Sequence, residues 1–318
     1  MRELARVSPW TGAIRVLPLA ASIAWLATGC GGEPAPDSAQ ATRSAGSRAL
    51  EEFDRAAVES LPGAPGFLDP ETGTWRLSIP RPELVVTIDG APIAPQGGLG
   101  GWVAFAPVPG GAVLTAELPL LVDEVNPVLS AALLHDLHVT ALGARLARAV
   151  PQVWTLHLSA IGETDSLAAG IGAVLQTLQD VTGQPHEPLP AIDPAAVLDP
   201  VPIDSVLGTT GARGQDGYVI EIPFSTRLEG YELGAASGIA TRVTFWGSDT
   251  RAAMAGRLAL TEAELQQVLR SLRAGGVEIA SIDAPLVGED PPLVFVHVWG
   301  RGRATDLARA LRDALDAR

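Results

Sequence analysis

The spacing of apolar and polar residues predicts five strands and two helices in one order, and this order occurs twice along the chain. The first strand ends at Ile79-Pro80 in the first half and at Ile222-Pro223 in the second. In the first half, apolar runs predict strands at Trp102–Ala106, Val113–Leu120, Val139–Leu142 and Val153–Leu158. In the second half, similar runs predict strands at Thr241–Trp246, Ala252–Leu260, Val277–Ile282 and Leu293–Trp299. Strands joined by short turns, with helices that are apolar on one face, are typical of an antiparallel α+β domain.

Each half carries two predicted helices, one after its third strand and one after its fifth. In the second half, Thr261 and Glu264 form a Thr-x-x-Glu capping box at a helix start. In the first half the equivalent helix begins at Asp123 or its neighbours, and its first turn tolerates Pro127. Apolar residues at helical spacing predict the closing helices, around Leu167–Leu175 and Leu307–Leu315.

The two halves resemble each other residue by residue, which indicates an internal duplication. Placing Ala112 on Ala252 aligns a long stretch at a constant offset of 140 residues. Upstream, the segment from Trp75 to Pro80 is similar to the segment from Tyr218 to Pro223. Identical residues that meet in this alignment include Leu118 and Leu258, Glu124 and Glu264, Pro151 and Pro291, and His157 and His297.

These patterns predict an α+β protein of two tandem repeats, each an antiparallel sheet with two helices. We place the first repeat at residues 50–183 and the second at 206–318, joined by a Pro-rich linker at 184–205. A signal peptide at residues 1–29 and a flexible tether at 30–49 precede the repeats.

The first thirty residues have the order of a bacterial lipoprotein signal. Three arginines lead into an apolar run from Val16 to Ala27, and small residues then precede Cys30, the only cysteine. This order predicts attachment of diacylglycerol to Cys30, cleavage before it and acylation of the new amino group. The alternative is an uncleaved anchor, but the run is shorter than the roughly 20 residues that a membrane span needs.

Lipidation at Cys30 predicts a protein exported and held at a bacterial membrane, with its body outside the cytoplasmic membrane. The following Gly, Pro, Ala and Ser residues cannot form a core and predict a tether of about 25 Å. A single lipidated cysteine excludes an intramolecular disulfide and a catalytic thiol.

Charge and composition exclude several kinds of partner and chemistry. All 22 basic residues are arginine, so Schiff-base lysines and a lysine-bearing phosphate loop are excluded. The formal net charge is −14, which predicts repulsion from nucleic acid and from anionic lipid surfaces. We therefore expect contact with the membrane through the lipid anchor alone.

Several segments resemble the LppY/LpqO family of bacterial lipoproteins across roughly residues 50–316. The resemblance rests on the run from Leu120 to Leu129, the strand Val139–Leu142, the segment Pro80–Leu84 and the segment Phe295–Trp299. It implies a duplicated domain and suggests contact with cell-wall material. The family shows His-Asn-His after the strand Val139–Leu142, whereas this chain has Gly143-Ala144-Arg145 there and Asp283-Ala284-Pro285 in the second repeat.

Histidines are the first candidates for site chemistry. His157 and His297 occupy equivalent positions on predicted central strands, where they either line a pocket or are hydrogen-bonded core residues. His135 and His138 lie three residues apart at a predicted helix end, where they either form a pair of metal ligands or interact with the helix dipole. Because three or four converging ligands are not evident, we expect no metal and no other cofactor.

Glu124 and Glu264 are equivalent carboxylates and suggest either a hydrolase pair or two helix caps. No nucleophile elbow, zinc-protease motif or dinucleotide fingerprint occurs in the sequence. Two functions therefore remain open. The first is a non-catalytic envelope protein that binds or scaffolds cell-wall material or envelope proteins. The second is a metal-dependent or carboxylate-based hydrolase acting on that material.

Overall fold

The computed structural model describes residues 54–63, 66–93, 99–184, 189–193, 196–215 and 217–318. The predicted signal segment, the lipidation site at Cys30 and the tether lie outside the described residues. Among the helices that are described, none is both long and apolar enough to cross a membrane.

Within the described residues, the first repeat, which we call copy one, has three helices and nine strands. The helices are α1 (Arg55–Glu59), α2 (Val122–Leu134) and α3 (Thr164–Val181). The strands are β1 (Phe67–Leu68), β2 (Trp75–Ile79), β3 (Thr87–Ile88), β4 (Ala91–Pro92), β5 (Gly101–Val108), β6 (Gly111–Leu121), β7 (His138–Ala144), β8 (Ala149–Val150) and β9 (Val153–Gly162).

The second repeat, which we call copy two, has the same order of helices and strands. The helices are α4 (Pro200–Leu207), α5 (Glu262–Ala274) and α6 (Ala304–Asp316). The strands are β10 (Ala212–Arg213), β11 (Tyr218–Pro223), β12 (Thr226–Leu228), β13 (Tyr231–Leu233), β14 (Ala240–Ser248), β15 (Arg251–Thr261), β16 (Glu278–Asp283), β17 (Glu289–Asp290) and β18 (Leu293–Gly302), with a short 3₁₀ turn at Ala235–Ser237.

Twelve of the described strands, six from each copy, form one antiparallel sheet. Its order is β1-β2-β5-β6-β9-β7-β16-β18-β15-β14-β11-β10, so the second half mirrors the first. The two copies meet at a seam between β7 and β16, where Leu142 pairs with Ile282. The sheet therefore continues across the duplication without a break.

Alternation along each strand gives the sheet two different faces. On β6 and β9, even-numbered residues such as Leu114, Leu118 and Leu156 are buried, and they share a core cluster with apolar residues of the helices. On copy two the same pattern buries Leu258 and Val296. We call this side the helix face. The intervening residues of the same strands form the opposite side, which we call the open face.

In each copy a small sheet covers one end of the open face, and the two covered ends are opposite. In copy one, β4-β3-β8 packs with Leu84 and Val153, and in copy two β13-β12-β17 packs with Ile239 and Leu293. The central part of the open face, away from these ends, is left with half-buried polar and aromatic side chains.

Paired side-chain amides reinforce the seam. The Asn126 side chain on α2 accepts from the Ile279 backbone N–H at 2.8 Å and donates to the Ile279 carbonyl at 3.3 Å. At the equivalent position on α5, Gln266 makes the same two contacts with Val139, at 3.0 Å and 2.8 Å. Each helix thus satisfies backbone groups of the other copy's inner strand.

The α+β class, the antiparallel sheet and the duplication are confirmed. The described residues of each copy contain three helices where the sequence pattern predicts two, because α1 and α4 are only five and eight residues long. Both are capped by an aspartate, Asp54 and Asp199, and α4 packs on α6. Helices this short carry too few apolar positions for a clear period.

Candidate functional site

One row of residues crosses the open face of copy two. Strand pairing places Arg242 opposite Arg257, and Arg257 opposite His297, on three neighbouring strands. Such directly opposed residues have Cβ atoms about 5 Å apart. The corresponding row of copy one holds Trp102, Glu117 and His157 instead. The duplicated strands therefore present different chemistry at matching positions.

Both predicted pocket histidines lie on the open face and not in the helix-face core. His157 is half-buried on β9, opposite Ala141. The His297 side chain is 39% exposed, and its Nε2 lies 3.4 Å from an Asp283 carboxylate oxygen. Asp283 occupies one of the positions at which the LppY/LpqO resemblance implies a histidine.

Copy one neutralises its own charge at this level of the sheet. Arg145, which also occupies one of those positions, is ion-paired with Glu117 and donates to the Thr155 hydroxyl at 3.2 Å. Both members of the ion pair are only 19% exposed. The Glu117 carboxylate and the Arg145 guanidinium therefore neutralise each other.

Arg257 of copy two takes the place of Glu117 and has a different environment. Its guanidinium carbon lies 4.6 Å from the centre of the Phe295 ring, a cation–π arrangement. One Nη donates to the Gly238 carbonyl at 2.7 Å, while the buried Nε has no acceptor within the described part of the chain. Across the described residues, no carboxylate forms an ion pair with Arg257.

A groove leads to Arg257 from the outer edge of copy two. A cavity of 810 Å³ extends from Leu198 past Trp246, and a second of 300 Å³ is lined by Arg242, Arg257 and His297. Thr244 and Gly256 line both cavities, so the two cavities adjoin each other. We call the two together the copy-two groove.

Glycine is required at Gly256 because the neighbouring strand passes very close. A Cβ atom at this position would lie 2.1 Å from the Arg242 carbonyl oxygen. Any side chain here would push β14 away from β15 and separate Arg242 from Arg257.

Two tryptophans stand beside the groove. The rings of Trp246 and Trp299 are 5.6 Å apart and inclined by 50°. Both are half-buried, and both occupy open-face positions, on β14 and β18. Ala106 and Ser159 occupy the equivalent positions in copy one, so the aromatic pair belongs to copy two alone.

Both candidate glutamates lie at helix starts, and their contacts are local or structural. Glu264 accepts from the Thr261 backbone N–H and hydroxyl, at 2.7 Å and 2.8 Å, as the capping box predicts. Glu124 accepts from the Leu121 N–H at 2.8 Å and is also bound by Arg81 through both carboxylate oxygens, at 2.8 Å and 3.0 Å. None of these contacts joins a glutamate to His157 or His297.

The other predicted positions are spread over the surface. His135 ends α2, His138 begins β7, and both are exposed. Among the residues the structure describes, no three His, Cys, Asp or Glu side chains converge as metal ligands would. Arg301 donates to the Pro190 carbonyl, so it holds the linker near β18.

Sequence reasoning missed Arg257, Trp246, Thr244 and Gly256. The constant offset contains a signal for all four, because it aligns Arg257 with a glutamate and each of Trp246, Thr244 and Gly256 with an alanine. Positions that differ between two copies of one unit mark where the copies have different roles. The neighbourhood of Thr244 and Gly256 follows from the pairing of two strands, which this comparison does not show.

One family model, described as Domain of Unknown Function (DUF1259), matches the chain twice, at residues 57–177 and 201–317. The two matches coincide with copy one and copy two, and the second begins within α4. No curated protein and no solved structure matches the chain.

Proposed function

The chain belongs to the family described as Domain of Unknown Function (DUF1259), and on this premise we propose that it is a non-catalytic binding protein of the bacterial cell envelope. Within that family we place it with the LppY/LpqO lipoproteins, on the segments that resemble them. In this proposal Cys30 carries the lipid anchor, the body lies outside the cytoplasmic membrane, and the ligand is cell-wall material.

The copy-two groove is the observation that supports binding. Ligand sites in proteins are concave, largely preformed and lined by aromatic residues with a few polar groups. The groove has this composition, with Trp246 on its wall and Thr244, Arg257 and His297 along its inner part. Its floor is the twelve-stranded sheet, a rigid platform on which a ligand meets fixed side chains.

The hydrolase alternative has less support from the same geometry. A glycosidase needs two carboxylates facing one bond. Glu124 and Glu264 instead hold the first turns of two helices, and Glu124 is neutralised by Arg81. We therefore assign both glutamates to the architecture of the two copies and not to a reaction.

Sedimentation with insoluble peptidoglycan tests the proposal. The intact chain, purified in non-ionic detergent, is expected to sediment with the polymer. Trp246→Ala should weaken this binding about tenfold or more, since buried aromatic residues are frequent binding hot spots. Trp102→Ala is the matched control, because that tryptophan lies on the open face of copy one under Arg76. Absence of sedimentation, or equal losses in both variants, contradicts the proposal.

A further inference from the structure

We infer that the inner end of the copy-two groove is an oxyanion site, in which Arg257 binds a carboxylate or phosphate group of the ligand. This inference rests on the proposed binding function and names the chemical group that the groove recognises. It concerns the cavity of 300 Å³ that Arg242, Thr244, Gly256, Arg257 and His297 line.

The charge balance of the row identifies Arg257 as the available cation. Arg242 is ion-paired with Glu221, its strand partner on β11, at 2.6 Å. His297 faces Asp283 at 3.4 Å. Each neighbour of Arg257 in the row thus has a carboxylate of its own. Within the described part of the chain, Arg257 has none.

The orientation of Arg257 is fixed before a ligand arrives. The Phe295 ring supports one face of the guanidinium, and the Gly238 carbonyl holds one Nη. An arginine held in this way loses little rotamer entropy when it binds, and its planar fork matches the two oxygens of a carboxylate or phosphate. The contacts with Phe295 and Gly238 leave donors of Arg257 unused, because its buried Nε has no acceptor among the described residues.

Like charges directly opposite each other on adjacent strands are unfavourable. Arg242 and Arg257 are such a pair, and Glu221 lies on the far side of Arg242, so it does not separate the two guanidinium groups. An oxyanion bound to Arg257 reduces the repulsion that remains, and Thr244 lines the same cavity. In copy one the corresponding row contains Glu117, which is already ion-paired with Arg145. The site therefore belongs to copy two alone.

Thermal unfolding of the intact chain in non-ionic detergent, followed by tryptophan fluorescence, tests the inference. The probes are methyl phosphate and N-acetylglycine, and the uncharged controls are trimethyl phosphate and N-acetylglycine amide, all at matched ionic strength. A ligand that binds only the folded state raises the unfolding temperature in a saturable way. We expect such a rise with at least one oxyanion probe, and the probe that produces it identifies phosphate or carboxylate as the source.

The variant Arg257→Gln should raise the apparent dissociation constant at least tenfold, whereas Arg309→Gln, an exposed cation on α6, should leave it unchanged. A wild-type chain that responds equally to the oxyanions and to their uncharged controls overturns the inference, even if Arg257→Gln fails to fold. Peptidoglycan sedimentation is measured separately. Oxyanion binding without sedimentation rejects the proposed function, and sedimentation without oxyanion binding rejects only the site.

Discussion

Leu142 and Ile282 are equivalent residues of the two copies, 140 positions apart, and they are paired with each other across the seam. Each is almost completely buried, with 1% and 2% of its surface exposed. A residue that meets its own counterpart lies on a local two-fold axis. The duplicated units are therefore related as the subunits of a two-fold symmetric dimer are.

Leu142→Ala should destabilise the whole chain. Removing a buried leucine side chain costs about 2–5 kcal/mol, and here the cavity would open between the two copies. Denaturant unfolding measures the change, and the loss should appear in one transition that includes both copies. Val287→Ala is the control, because Val287 is 91% exposed and its truncation should cost almost nothing. A separate transition for each copy would contradict this expectation.

Asn126→Leu and Gln266→Leu should each lower the free energy of unfolding by about 1–3 kcal/mol, because backbone groups of Ile279 or Val139 lose their partners. The two losses should be similar, since the contacts are equivalent. Urea titration of the wild-type protein and the two variants provides the comparison. Gln176→Leu serves as the control, because the described hydrogen bond of the Gln176 side chain goes to Asp180 on the exposed side of α3. A neutral result for both seam variants would show that water replaces the amides without cost.

The ion pair between Arg81 and Glu124 is buried, with side-chain exposures of 3% and 2%. Glu124→Leu should destabilise the chain by roughly 3 kcal/mol, because it removes the buried carboxylate from Arg81 and leaves the guanidinium with Glu83 and the Pro119 carbonyl. The double variant Arg81→Met with Glu124→Leu should recover most of this loss. In copy two the residue that corresponds to Arg81 is Phe224, which follows Pro223 as Arg81 follows Pro80. An apolar side chain therefore already occupies this position in one copy. Chemical denaturation of the single and double variants decides the matter, and a double variant less stable than the single one would contradict it.

Tyr218 should ionise at a higher pH than a tyrosine with the ordinary pKa of 10.0. Burial, and then the hydrogen bond to Asp204, raise the pKa of the Tyr218 phenol above its ordinary value of 10.0. The folded state therefore keeps this phenol neutral where the unfolded chain ionises it. The resulting stability is present below pH 10.0 and is lost as the pH rises through the higher folded-state pKa.

Ultraviolet titration of the phenolates measures this shift, since the chain has only two tyrosines. The difference between the titrations of the wild-type chain and of Tyr218→Phe isolates the Tyr218 step, which should lie above pH 10.0. A Tyr218 step at the ordinary pKa would contradict the prediction.

Cys30→Ser should abolish lipid attachment and leave the precursor unprocessed. The predicted reaction needs a thiol at the residue that follows the small residues of the signal, and the chain has no other cysteine. Labelling cells with an alkyne fatty acid measures acylation, and Ser47→Ala in the predicted tether is the control. Undiminished labelling of the Cys30 variant would disprove the lipoprotein assignment.

The sequence predicts the repeated elements well because each depends on local patterns. The strands that contain His157 and His297 are recognisable from their apolar runs, and the capping box at Thr261 marks the start of α5. The offset of 140 residues relates the two copies through their amino acids alone. These features need only neighbouring residues or the comparison of one half with the other.

The tertiary contacts are not predictable in the same way. Arg81 meets Glu124 across 43 positions, and Asn126 meets Ile279 across 153, so neither pair leaves a local pattern. The candidate site depends on which strands are neighbours. Arg242 and Arg257 become adjacent only through the register of β14 and β15, and the sequence pattern does not specify that register.

The meeting of β7 and β16 also protects the protein from self-association. A free strand edge is a template on which another chain can pair and aggregate. Had the copies folded apart, each would expose the full length of β7 or β16. Joined in one sheet, they leave β1 and β10 at the two ends, and each of these strands is only two residues long. The duplication thus pairs the strand edges of β7 and β16 with each other inside one chain, where they are not free to pair with another molecule.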